Sequence, residues 1–208
     1  MENEKTAKQK MISGELHQPS GKELAQDRQR AREQMNLFNN LEPSKIKQRA
    51  QILKSLFAKT TSRLYVEPPL RVDYGFNISV GDNFYANFNL TILDSAPVTI
   101  GDNVMFGPNV SLFTPGHPVD AELRMASWEY AKPISIGDNV WIGGNTVVNP
   151  GVKIGKNTVI GSGSVVTKDI PDNVVAAGNP CRVLRPISDR DKIYYFKQER
   201  FPENLSSQ

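Results

Sequence analysis

The sequence predicts a mainly β chain: a three-sided parallel solenoid, with a helical hairpin before it and one long loop leaving it. Three observations carry this reading. Aliphatic residues recur every six positions across most of residues 74–166, composition changes near residue 66, and one insert without the repeat interrupts the register at 113–133.

The N-terminal third is rich in Lys, Glu, Gln and Arg and poor in Gly. From Lys22 to Asn39, the residues Leu24, Arg28, Ala31, Met35 and Phe38 fall on one helical stripe, and Asn39-Asn40 can end it. A second helix follows Pro43, with Ser44 as its N-cap and Ile46, Ala50, Leu53, Leu56 and Phe57 on one face. Such a hairpin has an apolar side that must pack on something.

After Pro68-Pro69 the period changes. Ile136, Ile142, Val148, Ile154, Ile160 and Val166 are each six apart, and Val140, Thr146, Val152, Thr158 and Ser164 sit four later in each hexad. The same register runs through Ile100, Phe106 and Leu112, and earlier through Tyr74, Val80, Ala86 and Ile92. A period of six matches neither a helix nor a meander. It matches a solenoid in which each hexad is one short strand plus one corner, three hexads closing a coil of about 18 residues. About four coils are expected. Gly after the leading position turns the corner, and Asn103, Asn139 and Asn157 can satisfy turn backbone groups.

The register breaks twice. Two residues are added near Asp94-Ser95, and the step from Leu112 to Ile136 is 24 residues, one hexad plus a coil's worth of extra chain. That insert leaves the prism as a loop, and long loops in compact domains are usually functional. Beyond Val166, Val174 to Leu184 reads as a last strand or two, and the aromatic tail Asp189 to Phe196 is expected to fold back on the helices. The boundaries are 1–66 for the helical segment, 67–185 for the solenoid with its loop, and 186–208 for the tail.

Composition removes several classes of function. With 208 residues, 38% hydrophobic and a formal charge of +3, the chain has no nucleic-acid footprint. A lone cysteine, Cys181, forms no internal disulfide. The polar start from Met1 to Lys5 lacks a leader's apolar core, and no long apolar run spans a membrane, so the expected compartment is the cytoplasm.

Several motifs point to a family. Tyr85-Ala86-Asn87-Phe88-Asn89, Gly116-His117-Pro118, Asn139-Val140-Trp141-Ile142-Gly143-Gly144 and Val165-Val166-Thr167-Lys168-Asp169-Ile170-Pro171 resemble the galactoside and maltose O-acetyltransferases, which are hexapeptide-repeat enzymes. Gly178 to Val183 and the tail extend the resemblance from about Met11 to Phe196. It implies a left-handed parallel β-helix, against the usual handedness of crossovers. It also implies a homotrimer with active sites between subunits, acetyl-CoA as cosubstrate and no metal.

The chemistry asks for a base, an oxyanion donor and a groove for two substrates, because a sugar hydroxyl does not ionise near neutral pH. The resemblance assigns the base to His117, one of two histidines in the chain. Glu129, in the same insert, is a candidate to orient it, as in a triad. Arg28, Asp73, Tyr85, Asn87 and Asp94 match acceptor positions. Trp141, Gly144, Ser162, Thr167, Lys168, Arg182 and Arg185 match donor positions: Trp141 walls the pantetheine arm, a backbone N–H near Gly143-Gly144 meets the oxyanion, and the basic residues suit phosphates. The match is mixed in type. Asp73 and Glu129 agree with maltose-type enzymes, Ser95 and Pro19 stand where the galactoside enzyme has Asp, and His17 reads as a surface residue. Three other readings compete. A zinc carbonic anhydrase on this fold needs about three His. An amine, antibiotic or serine acceptor needs the same donor site. A silent scaffold needs none of these side chains.

Overall fold

Six-residue spacing becomes a triangular prism. The computed structural model describes residues 4–202, so the first three residues of the polar N-terminus and residues 203–208 of the tail lie outside the described residues. The chain is a left-handed parallel β-helix. The first face stacks Leu64–Val66, Phe84–Ala86, Met105–Phe106, Trp141–Ile142, Val159–Ile160 and Val174–Ala177 in parallel. The second stacks Leu70–Val72, Leu90–Leu93, Ser111–Phe113, Val147–Val148 and Val165–Val166. The third stacks Ile78–Val80, Val98–Ile100, Ile134–Ile136 and Lys153–Ile154.

This makes about 6 turns rather than the four expected. The first and last coils escaped the count because they depart from the six-residue step. Strand partners lie 20 residues apart in the early coils (Val72 opposite Ile92, Ile92 opposite Leu112), 18 in the regular ones (Ile136 opposite Ile154) and 16 in the last (Ile160 opposite Ala176). The solenoid also begins earlier than residue 67, since Leu64–Val66 already belongs to its first face.

Every leading residue of the repeat, and every residue four behind it, is buried. Most form one continuous core from Val66 to Ala176. Tyr74 is an exception: it leads a hexad in sequence but packs outside the prism, against Met11 and Leu24 of the N-terminal segment. Corners explain the small residues. A Cβ on Gly107 would lie 2.6 Å from the Gly144 backbone nitrogen on the next coil, so glycine is required by coil-to-coil approach. The corner asparagines do something other than cap turns. Asn83, Asn103, Asn139, Asn157 and Asn173 all have positive φ, and each of the first four donates from its side-chain amide to the next asparagine's oxygen. Turn N–H groups are taken instead by aspartates, as when Asp138 accepts from the Asp102 N–H.

Three helices precede the prism. α1 (Ala7–Ile12), closed by a Thr6/Gln9 capping box, is too short to show in the periodicity. α2 (Lys22–Asn40) buries Leu24, Ala31 and Phe38 as predicted, and Asn39 clips it to Leu70 through both amide atoms. α3 (Ile46–Leu56) starts one residue later than its predicted cap, with Lys45 rather than Ser44 at the N-cap. Its buried stripe is Arg49, Leu53 and Leu56, leaving Ile46 49% exposed. The insert, with α4 (Ala121–Met125) at its tip, leaves the prism as a two-stranded arm, Pro115–Gly116 against Tyr130–Ala131.

The tail, with α5 (Arg190–Ile193), folds on itself rather than on the helices. Arg190 and Arg200 cover the Tyr194 ring, Tyr195 packs on Phe201, and the only predicted aromatic cover, the helical hairpin, lies around the opposite, N-terminal coils.

Candidate active site

Register decides where each predicted side chain stands. Tyr85, Asn87, Trp141, Gly144 and Ser162 lie on the first face or on the corner leading from it to the second. Asp73, Asp94, His117, Glu129, Thr167 and Lys168 lie on the corner leading from the second face to the third, or on the arm that springs from it. Between the two corners runs the second face, whose strand Leu90–Leu93 spans about 13 Å. One chain therefore does not bring the two sets together. Along the prism axis both sets follow one order, with acceptor positions on early coils and donor positions on late ones.

The acceptor end is built around a two-residue bulge of the corner. Asp94 is 0% exposed, and its Oδ1 accepts the Asp73 and Tyr74 N–H groups at 3.1 and 2.9 Å. Burial pushes its carboxyl up to about 6 against these stabilising N–H bonds. Asp94 is thus sealed inside the fold, so it holds Asp73 in place instead of meeting a ligand. Asp73 itself is half-buried, and its pKa is raised first by burial and then by the Glu129 carboxylate, with Arg28 and Arg32 opposing. Arg28 reaches from α2 to the Tyr74 hydroxyl at 2.8 Å and to the Pro19 carbonyl at 3.2 Å. Arg32 escaped the sequence reading, although it sits one turn after Arg28 on the same helix face.

His117 is exposed beyond the first strand of the arm, and its ring makes no hydrogen bond among the described residues. Tyr130 pairs with Gly116 across the arm, so the same antiparallel register, carried one residue further, sets Glu129 opposite His117. The Glu129 carboxylate nevertheless bonds the other histidine: its Oε1 lies 3.1 Å from His17 Nε2. His17 is not a surface residue. It is 1% exposed, because residues 15–18 form a bridge with the returning strand of the arm.

At the other end, Trp141 projects outward from the first face, 51% exposed, in one column with Tyr85 and Met105. Tyr85 stacks on Tyr65 with centroids 6.1 Å apart. Asn87 accepts the Phe88 N–H at 2.7 Å, which leaves its amide nitrogen outward. The Gly143 N–H is committed to the Ile160 carbonyl at 2.8 Å, whereas the Gly144 N–H has no backbone acceptor among the described residues. Ser162, Thr167, Lys168 and Arg182 are exposed, and Lys168 makes no ion pair among the described residues. Arg185 is already engaged, its two terminal nitrogens on Asp191 at 2.8 and 2.7 Å. Among the described residues no group of three or more His, Cys, Asp or Glu side chains is placed to hold a metal ion. Among them, too, no helix is long and apolar enough to cross a membrane.

Comparison with known proteins bears on the family. Residues 10–61 match the maltose acetyltransferase hexapeptide capping motif, and residues 133–168 match the bacterial transferase hexapeptide (six repeats). The galactoside O-acetyltransferase of Escherichia coli K12 is 53% identical over 197 residues, covering 95% of this chain and 97% of that one. The chain belongs to the galactoside and maltose O-acetyltransferase family. Structures of this family superpose closely. A galactoside acetyltransferase in complex with coenzyme A matches with a TM-score of 0.93 at 50% identity, over 96% of this chain and 100% of that one. A maltose O-acetyltransferase from Clostridium difficile 630 matches with a TM-score of 0.88 at 48% identity, over 89% of this chain and 100% of that one. As a member of this family the chain is an acetyltransferase.

Proposed function

We propose that the chain transfers an acetyl group from acetyl-CoA directly to a hydroxyl of a sugar, at sites completed between copies in a homotrimer. The observation that carries this reading is the split of the site. Each corner holds half of an acceptor end and half of a donor end, in the same axial order. A ring of copies that sets the first corner of one prism against the second corner of the next assembles both ends at once, and such a head-to-tail contact closes into a ring.

In that groove the thioester lies against Trp141, with Lys168 and Arg182 available to the phosphates. Arg185 contributes only by exchanging Asp191 for a phosphate. Asp73, Arg28, Tyr85 and Asn87 supply the directional donors and acceptors that sugar hydroxyls need. His117, on the arm between the two ends, takes the proton as the hydroxyl oxygen attacks the thioester carbon. The carbonyl oxygen gains charge and meets the Gly144 N–H. Collapse breaks the carbon–sulfur bond, and the imidazolium returns its proton to the departing CoA thiolate. No acyl-enzyme is required. Glu129, in the same arm, is the candidate to orient that ring.

The test is the bond made. Acetylated product from a sugar acceptor should be an ester that mild alkali cleaves, with no acetylated chain detected by mass spectrometry after acetyl-CoA alone. An alkali-stable acetamide would assign the site to an amine, and an acetylated chain would remove direct transfer.

A further inference from the structure

Of the two histidines of this chain, His17 is the one that contacts the Glu129 carboxylate, and it has no part in the chemistry proposed for His117. His17 is buried, on the N-terminal segment between α1 and α2. Its backbone pairs reciprocally with Glu129, N–H to carbonyl at 2.9 Å in both directions. Its Nε2 is 3.1 Å from Glu129 Oε1, and its Nδ1 is 3.0 Å from the Glu15 carbonyl. Two further contacts tie the same segment to the same strand: Gln18 donates to the Ala126 carbonyl at 2.8 Å, and Lys132 donates to the Gly14 carbonyl at 3.0 Å.

Hydrogen-bond accounting sharpens the role of the ring. A carbonyl only accepts, so Nδ1 carries the hydrogen facing Glu15. The remaining nitrogen, Nε2, faces the Glu129 carboxylate oxygen. The ring thus joins a backbone carbonyl to a buried carboxylate, a contact that a generic packing residue has no reason to make.

We propose that His17 is the positioning residue for Glu129. By engaging one carboxylate oxygen and the backbone beside it, His17 fixes the root of the arm and keeps Glu129 where its charge reaches Asp73. The N-terminal cap thereby sets acceptor affinity through a residue that never touches the acceptor. This rests on the reading of Asp73 as part of the acceptor end.

The experiment compares His17→Phe, which keeps ring volume and removes both nitrogens, with His17→Gln, which keeps an amide able to reach Glu129. KM is measured for acetyl-CoA and for whichever acceptor the chain turns over. The expected result is a rise in acceptor KM on the order of tenfold in His17→Phe, an unchanged KM for acetyl-CoA, and recovery of most of the loss in His17→Gln. In the parent chain carrying nitrogen-labelled histidine, with His17 in place, Glu129→Gln should move the His17 Nε2 resonance. A wild-type acceptor KM in His17→Phe, equal losses in both variants, or equal rises in both KM values would overturn the proposal, as would an unmoved Nε2 resonance. A non-sugar acceptor would contradict the sugar assignment alone, since the comparison is made on any acceptor used.

Discussion

At the scale of single residues, burial sorts the proposed site into exposed and sealed groups. His117 is exposed and its ring makes no hydrogen bond among the described residues, which suits the proposed base. His117→Ala should lower kcat on the order of 10² to 10⁴-fold with the fold intact, and turnover near the parent level would remove the base assignment. Asp94 behaves differently. Its folded pKa, about 6, stands above the ordinary carboxyl value of 3.8, because burial opposes ionisation. The folded state therefore binds more protons than the unfolded state between those values. The Asp94 contribution to stability is fully present below about pH 4 and is lost as pH rises through about 6. In Asp94→Asn this component should vanish. Measured from pH 4 to pH 7, the urea midpoint of the variant should rise relative to that of the parent, and a difference that does not change with pH would refute the burial argument. These holding roles were not legible in the sequence. Asp94 matched an acceptor position, and only the two added residues beside it hinted at a corner that needed internal support. His17 likewise looked like any polar residue in a polar segment, since its partner lies 112 positions away.

At the scale of elements, the repeat was legible because its physics is local. A prism this narrow admits apolar or small side chains at two positions in six, and any other pattern would bury unpaired polar groups. Phe106 illustrates the cost of a defect: fully buried, it meets Phe84 edge-on with centroids 5.2 Å apart. Phe106→Ala should destabilise by about 3–5 kcal/mol, read as a drop in urea midpoint, whereas an effect under 1 kcal/mol would mean that neighbouring coils collapse into the gap. Elements whose spacing departs from six were the ones missed. The terminal coils advance by 20 and 16 residues, so a search for hexads loses them. Tyr74 keeps the hexad spacing yet leaves the prism, because the bulge at Asp73 turns it toward α1 and α2. The tail failed for a different reason. An aromatic run shows that something is to be covered, but not by what, and here the nearest cover is the tail's own two strands.

For the whole molecule, the residues proposed for the site lie on two corners separated by a full face. Position modulo the repeat shows this in principle, since it assigns every residue to a face, but only the true coil lengths fix which corner each one joins. Division predicts complementation. Chains carrying His117→Ala are defective at the second corner, and chains carrying Trp141→Ala are defective at the first. Unfolded, mixed in equal amounts and refolded, the two should regain about a quarter of parental activity, as random assembly pairs sound corners. No recovery in the mixture would place the whole site within one chain.

The most direct test of the account is release of free thiol from acetyl-CoA by the purified chain, measured against maltose, glucose, a galactoside, serine and an aminated antibiotic. The account predicts thiol release that depends on a sugar and disappears in His117→Ala. Release driven by serine or the amine, or none with any sugar while coenzyme A still binds, would contradict it.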